Sequence, residues 1–203
     1  ELDLDRCRAA GVEWAVRPTG GRAILHDEEW TYSLAAGLAD PDWGGGLERA
    51  YAAVSRLLAA SLTRLGVPAR LARGAVRGGL EPRSAGGAAP PCFASTARHE
   101  IVLDGRKLVG SAQRRTGRAL LQQGSVLLGP GHLRLADFLA APPGTRERVR
   151  EELDRASAHA GRWLGTREPL ERWADALAAE LPAGTRRRRG DEGLDLLGAP
   201  RDG

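Results

Sequence analysis

The sequence predicts an α+β domain with a mixed, largely antiparallel sheet that is flanked by helices. Candidate strands occur in hairpin-like pairs and do not alternate regularly with helices, which is typical of this class. Long segments at residues 47–65 and 168–181 carry apolar residues at the 3.6-residue period of a helix. The chain has 203 residues, of which 42 % are hydrophobic, so it can bury the core of one domain.

Helices are predicted where a periodic apolar face or a clear stop signal is present. Gly11 and Gly66 follow the first two, as glycine often does at a helix C-terminus, and Pro169 lies in the first turn of the last. The predicted helices cover residues 2–10, 47–65, 133–140, 146–164 and 168–181.

Strands are predicted in short runs of apolar and β-branched residues between turn signals. The clearest pair is joined by Asp104–Gly105, a dipeptide typical of a tight hairpin. Residues 74–91 are rich in Gly, Pro and Ala and are predicted to form a functional or mobile loop. The predicted strands cover residues 12–16, 22–26, 31–34, 100–103, 107–109, 119–122 and 125–128.

One domain is expected over residues 1–182, with its C-terminal helices starting at about residue 133 and a disordered tail over 183–203. The sequence opens at Glu1 and contains no Met, so we interpret it as a fragment or a trimmed chain. No apolar run is long enough for a membrane span, and no secretory signal is visible. With two cysteines, the chain is expected to be cytoplasmic, with reduced thiols.

The basic composition does not indicate a nucleic-acid partner. The chain has 29 Arg, one Lys and no Asn, a pattern that a GC-rich genome explains. Its net charge is only +4, and the dense run Arg186 to Arg189 is interpreted as a solvated tail.

Segments in three parts of the chain could carry chemistry. The first runs from Arg17 to Asp27, where glycines in a turn would let backbone approach a ligand closely. The second is Cys92 at the exit of the long loop, a residue that is more often inert than nucleophilic. The third contains Lys107, the one lysine in a sequence that otherwise uses arginine. An ammonium retained in this way indicates a task that guanidinium cannot perform.

Together these segments resemble the biotin/lipoate protein ligase superfamily, and most closely its cysteine-dependent octanoyltransferases. The resemblance rests on Arg17-Pro-Thr-Gly-Gly-Arg with His26-Asp27, on Cys92-Phe93, on Gly105 to Gln113 and on Gln122-Gln-Gly-Ser125. It runs from the first residues to about Leu164, and it implies that a further N-terminal part of the domain is missing from this sequence. Gln123 stands where the family usually has His, which puts a proton-transfer role at that position in doubt.

The resemblance implies a covalent mechanism without ATP or metal. Cys92 would be the acyl-thioester nucleophile, and Lys107 would lower the pKa of that thiol and orient the acyl carbonyl. The donor would be octanoyl-acyl carrier protein, and the acceptor a lysine of a lipoyl-domain protein such as the glycine cleavage H protein. A monomer is expected. The implied substrate-binding residues are Arg17, Thr19, Gly20, Gly21, Arg22, His26, Gly110, Ser111, Ala112 and Gln113.

Two alternatives stay open within this resemblance. An ATP-dependent lipoate-protein ligase would share the glycine turn and the Lys motif but would not need Cys92. A truncated, non-catalytic homologue would fit Gln123 and the expected missing N-terminal part, although Cys92 and Lys107 together argue against it.

Overall fold

The structure is a computed structural model that describes residues 2–17, 22–72, 99–183 and 185. It confirms the α+β class, with antiparallel sheets flanked by helices. In chain order the elements are α1 Leu4–Ala9, β1 Glu29–Gly37, α2 Leu47–Arg64, β2 Arg70–Leu71, β3 Ile101–Leu103, β4 Arg106–Lys107, β5 Val109–Arg115, β6 Ala119–Leu127, a 3-10 helix Pro130–Phe138, α3 Pro143–Ala156, α4 Gly161–Leu164 and α5 Leu170–Glu180.

The described strands form two three-stranded antiparallel sheets. One has the order β1-β6-β5 and the other β2-β3-β4. Ser125 on the central strand β6 lies opposite Thr31 of β1 and Gly110 of β5. Because opposite residues of antiparallel strands project to the same side, this register decides which motif residues share a face.

The hairpin predicted at Asp104–Gly105 is confirmed. It joins β3 to β4, and both turn residues have positive φ, 50° and 76°. A two-residue turn of this kind needs the left-handed region at both positions, which Asp and Gly tolerate well. The turn returns the chain along β3 and places Lys107 beside it.

The single helix predicted over residues 146–164 is wrong. Helix α3 ends at Ala156, and the short α4 begins only at Gly161. Ser157 adopts extended angles and bridges to Lys107, and the backbone N–H of Ala158 donates to the Lys107 carbonyl at 2.9 Å. The chain therefore leaves the helix to extend the strand pairing beside β4.

Strand predictions in the N-terminal region also need correction. Residues 12–16 and 22–26 do not form regular strands, because their backbone groups join no ladder with another described strand. The segment predicted at residues 31–34 belongs to the longer strand β1, and residues 119–128 contain one strand, not two. The helix predicted over residues 133–140 is the 3-10 helix Pro130–Phe138.

The main core lies between the β1-β6-β5 sheet and helices α2 and α5. Trp30 stacks on Trp173 with 5.0 Å between ring centroids, and the Trp173 indole N–H donates to Ser61 Oγ at 2.9 Å. A second cluster joins Leu127 to Leu135 and Leu153 on the other side of β6. The partly buried Ile24 and Leu25 pack against this second cluster. The two clusters hold β6 in place between them.

Candidate functional site

Lys107 is buried in an ion pair with a carboxylate that lies outside the sequence motifs. Its Nζ lies 2.6 Å from Oε1 of Glu100, and the two side chains are only 5 % and 7 % exposed. Lys107 lies opposite Val102 in the hairpin, and Glu100 precedes Val102 by two residues. Residues two apart on an extended chain share a face, so the hairpin brings the two charges together. The sequence signal for this pair is an acidic residue, Glu100, two residues before the position that lies opposite Lys107 in the predicted hairpin.

The motif around Lys107 continues onto β5, where alternation divides its residues between two faces. Gly110 and Ala112 lie opposite Ser125 and Gln123 of β6. Ser111 lies opposite Gly124 and is within hydrogen-bonding distance of Tyr32 Oη, at 2.6 Å. The structure thus assigns the small residues Gly110 and Ala112 to one side of the sheet and Ser111 to the other.

On the Ser111 side, a buried polar network connects the three strands of the sheet. Gln113 Nε2 donates to Gln122 Oε1 at 3.0 Å, and Gln122 Nε2 donates to Tyr32 Oη at 3.2 Å. Burial raises the pKa of Tyr32, so the phenol stays neutral and acts as both donor and acceptor. Gln113 therefore has a place in the network that fixes the strands, as well as its implied substrate-binding role.

A cleft of about 750 Å³ lies between the N-terminal segments and the 3-10 helix. Several predicted substrate-binding residues line it, namely Arg17, Arg22 and His26, together with Gln123. Leu2, Cys7, Leu135 and Phe138 supply apolar lining. Lys107 is not among the described residues of this lining. The structure therefore brings part of the predicted site together here and leaves Lys107 outside it.

His26 is paired with a buried carboxylate at the edge of this cleft. Its Nδ1 lies 2.6 Å from Oε1 of Glu29 and 3.4 Å from Ser125 Oγ. The hydrogen bond to Glu29 raises the pKa of His26, against an opposing effect of partial burial. The Glu29 side chain is 4 % exposed, whereas that of His26 is 53 % exposed. The pair is therefore anchored in the protein at one end and open to solvent at the other.

A second histidine, His132, contacts Ser157, the residue that bridges to Lys107. Its Nε2 is 2.7 Å from Ser157 Oγ, which donates to the Leu153 carbonyl at 2.6 Å. Burial lowers the pKa of His132, so the imidazole is neutral at physiological pH. Because the Ser157 hydroxyl already donates to a carbonyl, His132 must donate to Ser157, and the pair does not resemble an activated nucleophile. It braces the segment that pairs with Lys107.

The remaining predicted site residues lie outside the described part of the chain. They are Cys92, Thr19, Gly20 and Gly21. Cys7 is described and is 2 % exposed, so it packs as a small buried residue. Within the described ranges, no group of three or more His, Cys, Asp or Glu is arranged to hold a metal ion, and no helix has the length and apolarity of a membrane span.

A family model described as the lipoyl protein ligase A/B catalytic domain matches residues 1–181. This chain belongs to the lipoyl protein ligase A/B family. The match covers most of the sequence and confirms the predicted resemblance. It includes both motif regions described here, the cleft residues from Arg17 to Asp27 and the hairpin that carries Lys107.

Curated proteins named octanoyltransferase share substantial identity with the chain. The protein "Octanoyltransferase LipM" of Kyrpidia tusciae is 36 % identical over 179 residues, which are 88 % of this chain and 65 % of that protein. The protein of the same name from Moorella thermoacetica is 40 % identical over 153 residues, 75 % of this chain and 53 % of that protein. The chain thus spans between about half and two thirds of the length of these relatives.

Solved structures of lipoate protein ligases share the fold. A bi-partite lipoate protein ligase from Thermoplasma acidophilum superposes with a TM-score of 0.63 at 20 % identity, covering 89 % of this chain and 60 % of that one. A lipoate-protein ligase A bound with ATP gives a TM-score of 0.58 at 21 % identity, covering 89 % and 62 %. At this identity the likeness concerns the fold alone.

Proposed function

We propose that this protein moves an octanoyl group from octanoyl-acyl carrier protein, through a thioester on Cys92, to a lysine of a lipoyl-domain protein. The glycine cleavage H protein is one such acceptor. The observation that carries the proposal is the identity of 36 % to 40 % with proteins named octanoyltransferase LipM. The reaction belongs to lipoate biosynthesis, takes place in the cytoplasm, and uses neither ATP nor a metal.

The chemistry proceeds in two transfers. The Cys92 thiolate attacks the carbonyl carbon of the octanoyl thioester, and the carrier-protein thiolate leaves. The neutral amine of the acceptor lysine then attacks the carbonyl carbon of the new thioester on Cys92. The C–S bond breaks with its electron pair on Sγ, the proton lost by the nitrogen restores the thiol, and an amide forms. Exchange between thioesters is nearly balanced, whereas amide formation is favourable, so the sequence needs no nucleotide to drive it.

Lys107 supports this proposal through its position. A buried ammonium is costly unless it is paired, and the pair with Glu100 keeps it ordered within the hairpin. Glu100 also offsets much of its charge at long range. In the proposed reaction Lys107 acts on the thiolate and on the acyl carbonyl as a hydrogen-bond donor and not as a diffuse field.

Intact-mass analysis after incubation with octanoyl-acyl carrier protein, without ATP, tests the proposal. We expect an octanoyl adduct on the parent chain and on Cys7→Ala, and none on Cys92→Ala. Cys7→Ala is the matched control because it removes the other thiol of the sequence. Modification of the acceptor only when ATP and free octanoate are supplied would favour the ligase alternative, and no transfer under either condition would favour a non-catalytic homologue.

A further inference from the structure

Glu100 is a buried carboxylate that pairs with the ammonium of Lys107. Oε1 of Glu100 lies 2.6 Å from Lys107 Nζ, and the two side chains are 7 % and 5 % exposed. In the Arg64–Glu180 pair on the helices, by contrast, the arginine is 53 % exposed. Water therefore competes with the contact in the Arg64–Glu180 pair and is largely excluded from the contact between Glu100 and Lys107.

The backbone at both ends of the buried pair is held by neighbouring segments. At the end of β2, the Ala72 N–H donates to the Glu100 carbonyl at 2.8 Å. Lys107 pairs with Val102 of β3, and its carbonyl accepts from the Ala158 N–H at 2.9 Å. The fold thus sets the separation of the two side chains, and the carboxylate meets the ammonium at one place relative to the strands.

Stability alone does not account for this pair. Both charges lose their hydration when the protein folds, and their attraction does little more than offset that cost. Two apolar side chains of similar volume would stabilise the same place at least as well. The sequence also uses arginine at 29 positions and lysine only here. These observations indicate a task that needs an ammonium in a defined position.

A carboxylate at hydrogen-bonding distance fixes an ammonium in orientation as well as in position. Lysine has a long flexible stem, so an unpaired ammonium samples many positions. Its nitrogen carries three N–H groups, and Glu100 Oε1 accepts from one of them. Once one N–H direction is fixed, tetrahedral geometry fixes the others. A hydrogen-bond donor contributes most to a reaction when it is already in place before charge develops.

We propose that Glu100 is a positioning residue for octanoyl transfer, which acts through Lys107 by holding the ammonium in the orientation that the transfer uses. The inference deepens the proposed function and rests on it for the role of Lys107. Glu100 itself touches no substrate and moves no proton in this scheme. A charged acceptor is required, because a neutral amide of the same shape forms the weaker hydrogen bond to an ammonium.

The first arm of the test observes Lys107 directly. Because Lys107 is the one lysine of the sequence, lysine-selective ¹⁵N labelling gives a single side-chain Nζ resonance in the NMR spectrum. In the parent we expect the Nζ protons to exchange slowly with water, since the ammonium is buried and hydrogen-bonded. Glu100→Gln should shift this resonance and speed the exchange. Glu180→Gln, which alters the exposed Arg64–Glu180 pair, is the matched control and should leave both unchanged.

The second arm measures octanoyl transfer from octanoyl-acyl carrier protein to a lipoyl domain, with urea unfolding to establish that each variant is folded in the assay. We expect Glu100→Gln to lower kcat by about 10- to 100-fold, the range for a misplaced catalytic group, and to leave both KM values within about twofold. Glu100→Asp keeps the charge but withdraws it by one methylene, about 1.5 Å, so its loss should be intermediate. Glu180→Gln should stay within about twofold of the parent.

A double variant separates positioning from a general structural role. In Lys107→Ala, the carboxylate of Glu100 is buried without the ammonium, so adding Glu100→Gln should raise resistance to urea. The transfer rate should nevertheless stay within about twofold of Lys107→Ala, because a positioning residue has no effect once its target is gone. A further loss of about tenfold in the double variant would show that Glu100 acts independently of Lys107 and would overturn the inference.

The remaining outcomes also have defined meanings. A kcat of Glu100→Gln within twofold of the parent, or an unchanged Nζ resonance in that variant, would overturn the inference. Absence of octanoyl transfer by the parent would instead overturn the proposed function. The role of Glu100 in transfer would fall with it, and a shifted Nζ resonance would then identify the pair as structural only.

Discussion

The ammonium of Lys107 and the carboxylate of Glu100 are 2.6 Å apart, with 5 % and 7 % of their side chains exposed. The hairpin at Asp104–Gly105 creates this arrangement by returning the chain so that Lys107 faces Val102. Both charges leave water when the protein folds, so each depends on the other. The residue with the strongest sequence signal is therefore part of a pair, and its properties must be tested together with Glu100.

We predict that breaking this pair on one side destabilises the fold strongly. Glu100→Leu or Lys107→Met alone leaves one buried charge uncompensated and should lower the free energy of unfolding by about 3–5 kcal/mol. The double variant should lose clearly less than the sum of the two. Urea unfolding of the four proteins measures this coupling.

A surface pair provides the control for that cycle. Arg172 Nη1 on α5 lies 2.7 Å from Oε1 of Glu168, which precedes that helix, and the arginine side chain is 52 % exposed. Arg172→Met should cost at most about 1 kcal/mol. Additive losses from Glu100→Leu and Lys107→Met would contradict the mutual dependence that the geometry indicates.

We predict that Lys107→Arg is strongly impaired in acylation of Cys92, although it keeps the positive charge. The site leaves only 5 % of the lysine side chain exposed, so a bulkier planar guanidinium cannot keep the contact with Glu100 unchanged. Arg106→Lys is the matched control, because it makes the reverse exchange at the exposed neighbour on β4. An acylation rate of Lys107→Arg near that of the parent would show that charge alone suffices.

We predict that Lys107 shifts the reactivity of Cys92 toward lower pH. An ordinary thiol has a pKa of about 8.5, and a nearby ammonium lowers it. Lys107→Ala should therefore move the alkylation of Cys92 by iodoacetamide to higher pH, by about one pH unit for each 1.4 kcal/mol of lost thiolate stabilisation. Superimposable curves for the parent and Lys107→Ala would leave Lys107 only the task of orienting the acyl group.

We predict that Gly124→Ala separates β5 from β6 at the Gly110–Ala112 motif. A Cβ on Gly124 would lie 2.2 Å from the Gly110 carbonyl oxygen and 2.8 Å from Tyr32 Cε1. Neither backbone nor ring can yield without opening the sheet, so we expect a loss of about 1–3 kcal/mol in unfolding free energy. Gly117→Ala, where the added Cβ meets no atom within 4 Å, is the control, and equal stability of the two variants would contradict this close packing.

Local signals in the sequence explain which elements could be predicted. Asp104–Gly105 specifies its turn through the backbone preferences of two adjacent residues, and Gly66 ends α2 with a φ of 86°. The helix predicted over residues 146–164 failed because its periodicity continues through Ser157, whereas the chain there follows a distant strand partner, Lys107. The spacing of apolar residues reports local structure and does not reveal contacts between segments that are distant in the sequence.

The same distinction applies to the candidate site. Lys107 and His26 stand out as residue types within motifs, but their carboxylate partners do not. In the sequence Glu29 is one acid among several near the start of β1, and it becomes distinctive only through its burial and its contact with His26. Arg17, Arg22 and Gln123 come from separate motifs, and tertiary packing alone shows that they share a cleft.

Finally, we predict that His132 makes the protein less stable in mild acid. Its side chain is buried, and burial lowers its folded-state pKa below the ordinary value of 6.5. Below pH 6.5 the unfolded chain therefore binds a proton at this residue that the folded chain does not, and the free energy of unfolding falls as pH falls, until the folded-state pKa is reached. The slope from one such group approaches about 1.4 kcal/mol per pH unit. His26 acts in the opposite direction, because its raised folded-state pKa gives stability that is present at low pH and lost as pH rises through that value.

The measurement is therefore a comparison of the parent with His132→Gln, by chemical unfolding between pH 7.5 and about pH 5. We expect the difference in stability between the two proteins to shrink as pH falls below 6.5, since the variant lacks the proton-linked loss. A difference that stays constant over this range would show that folding does not change the proton affinity of His132.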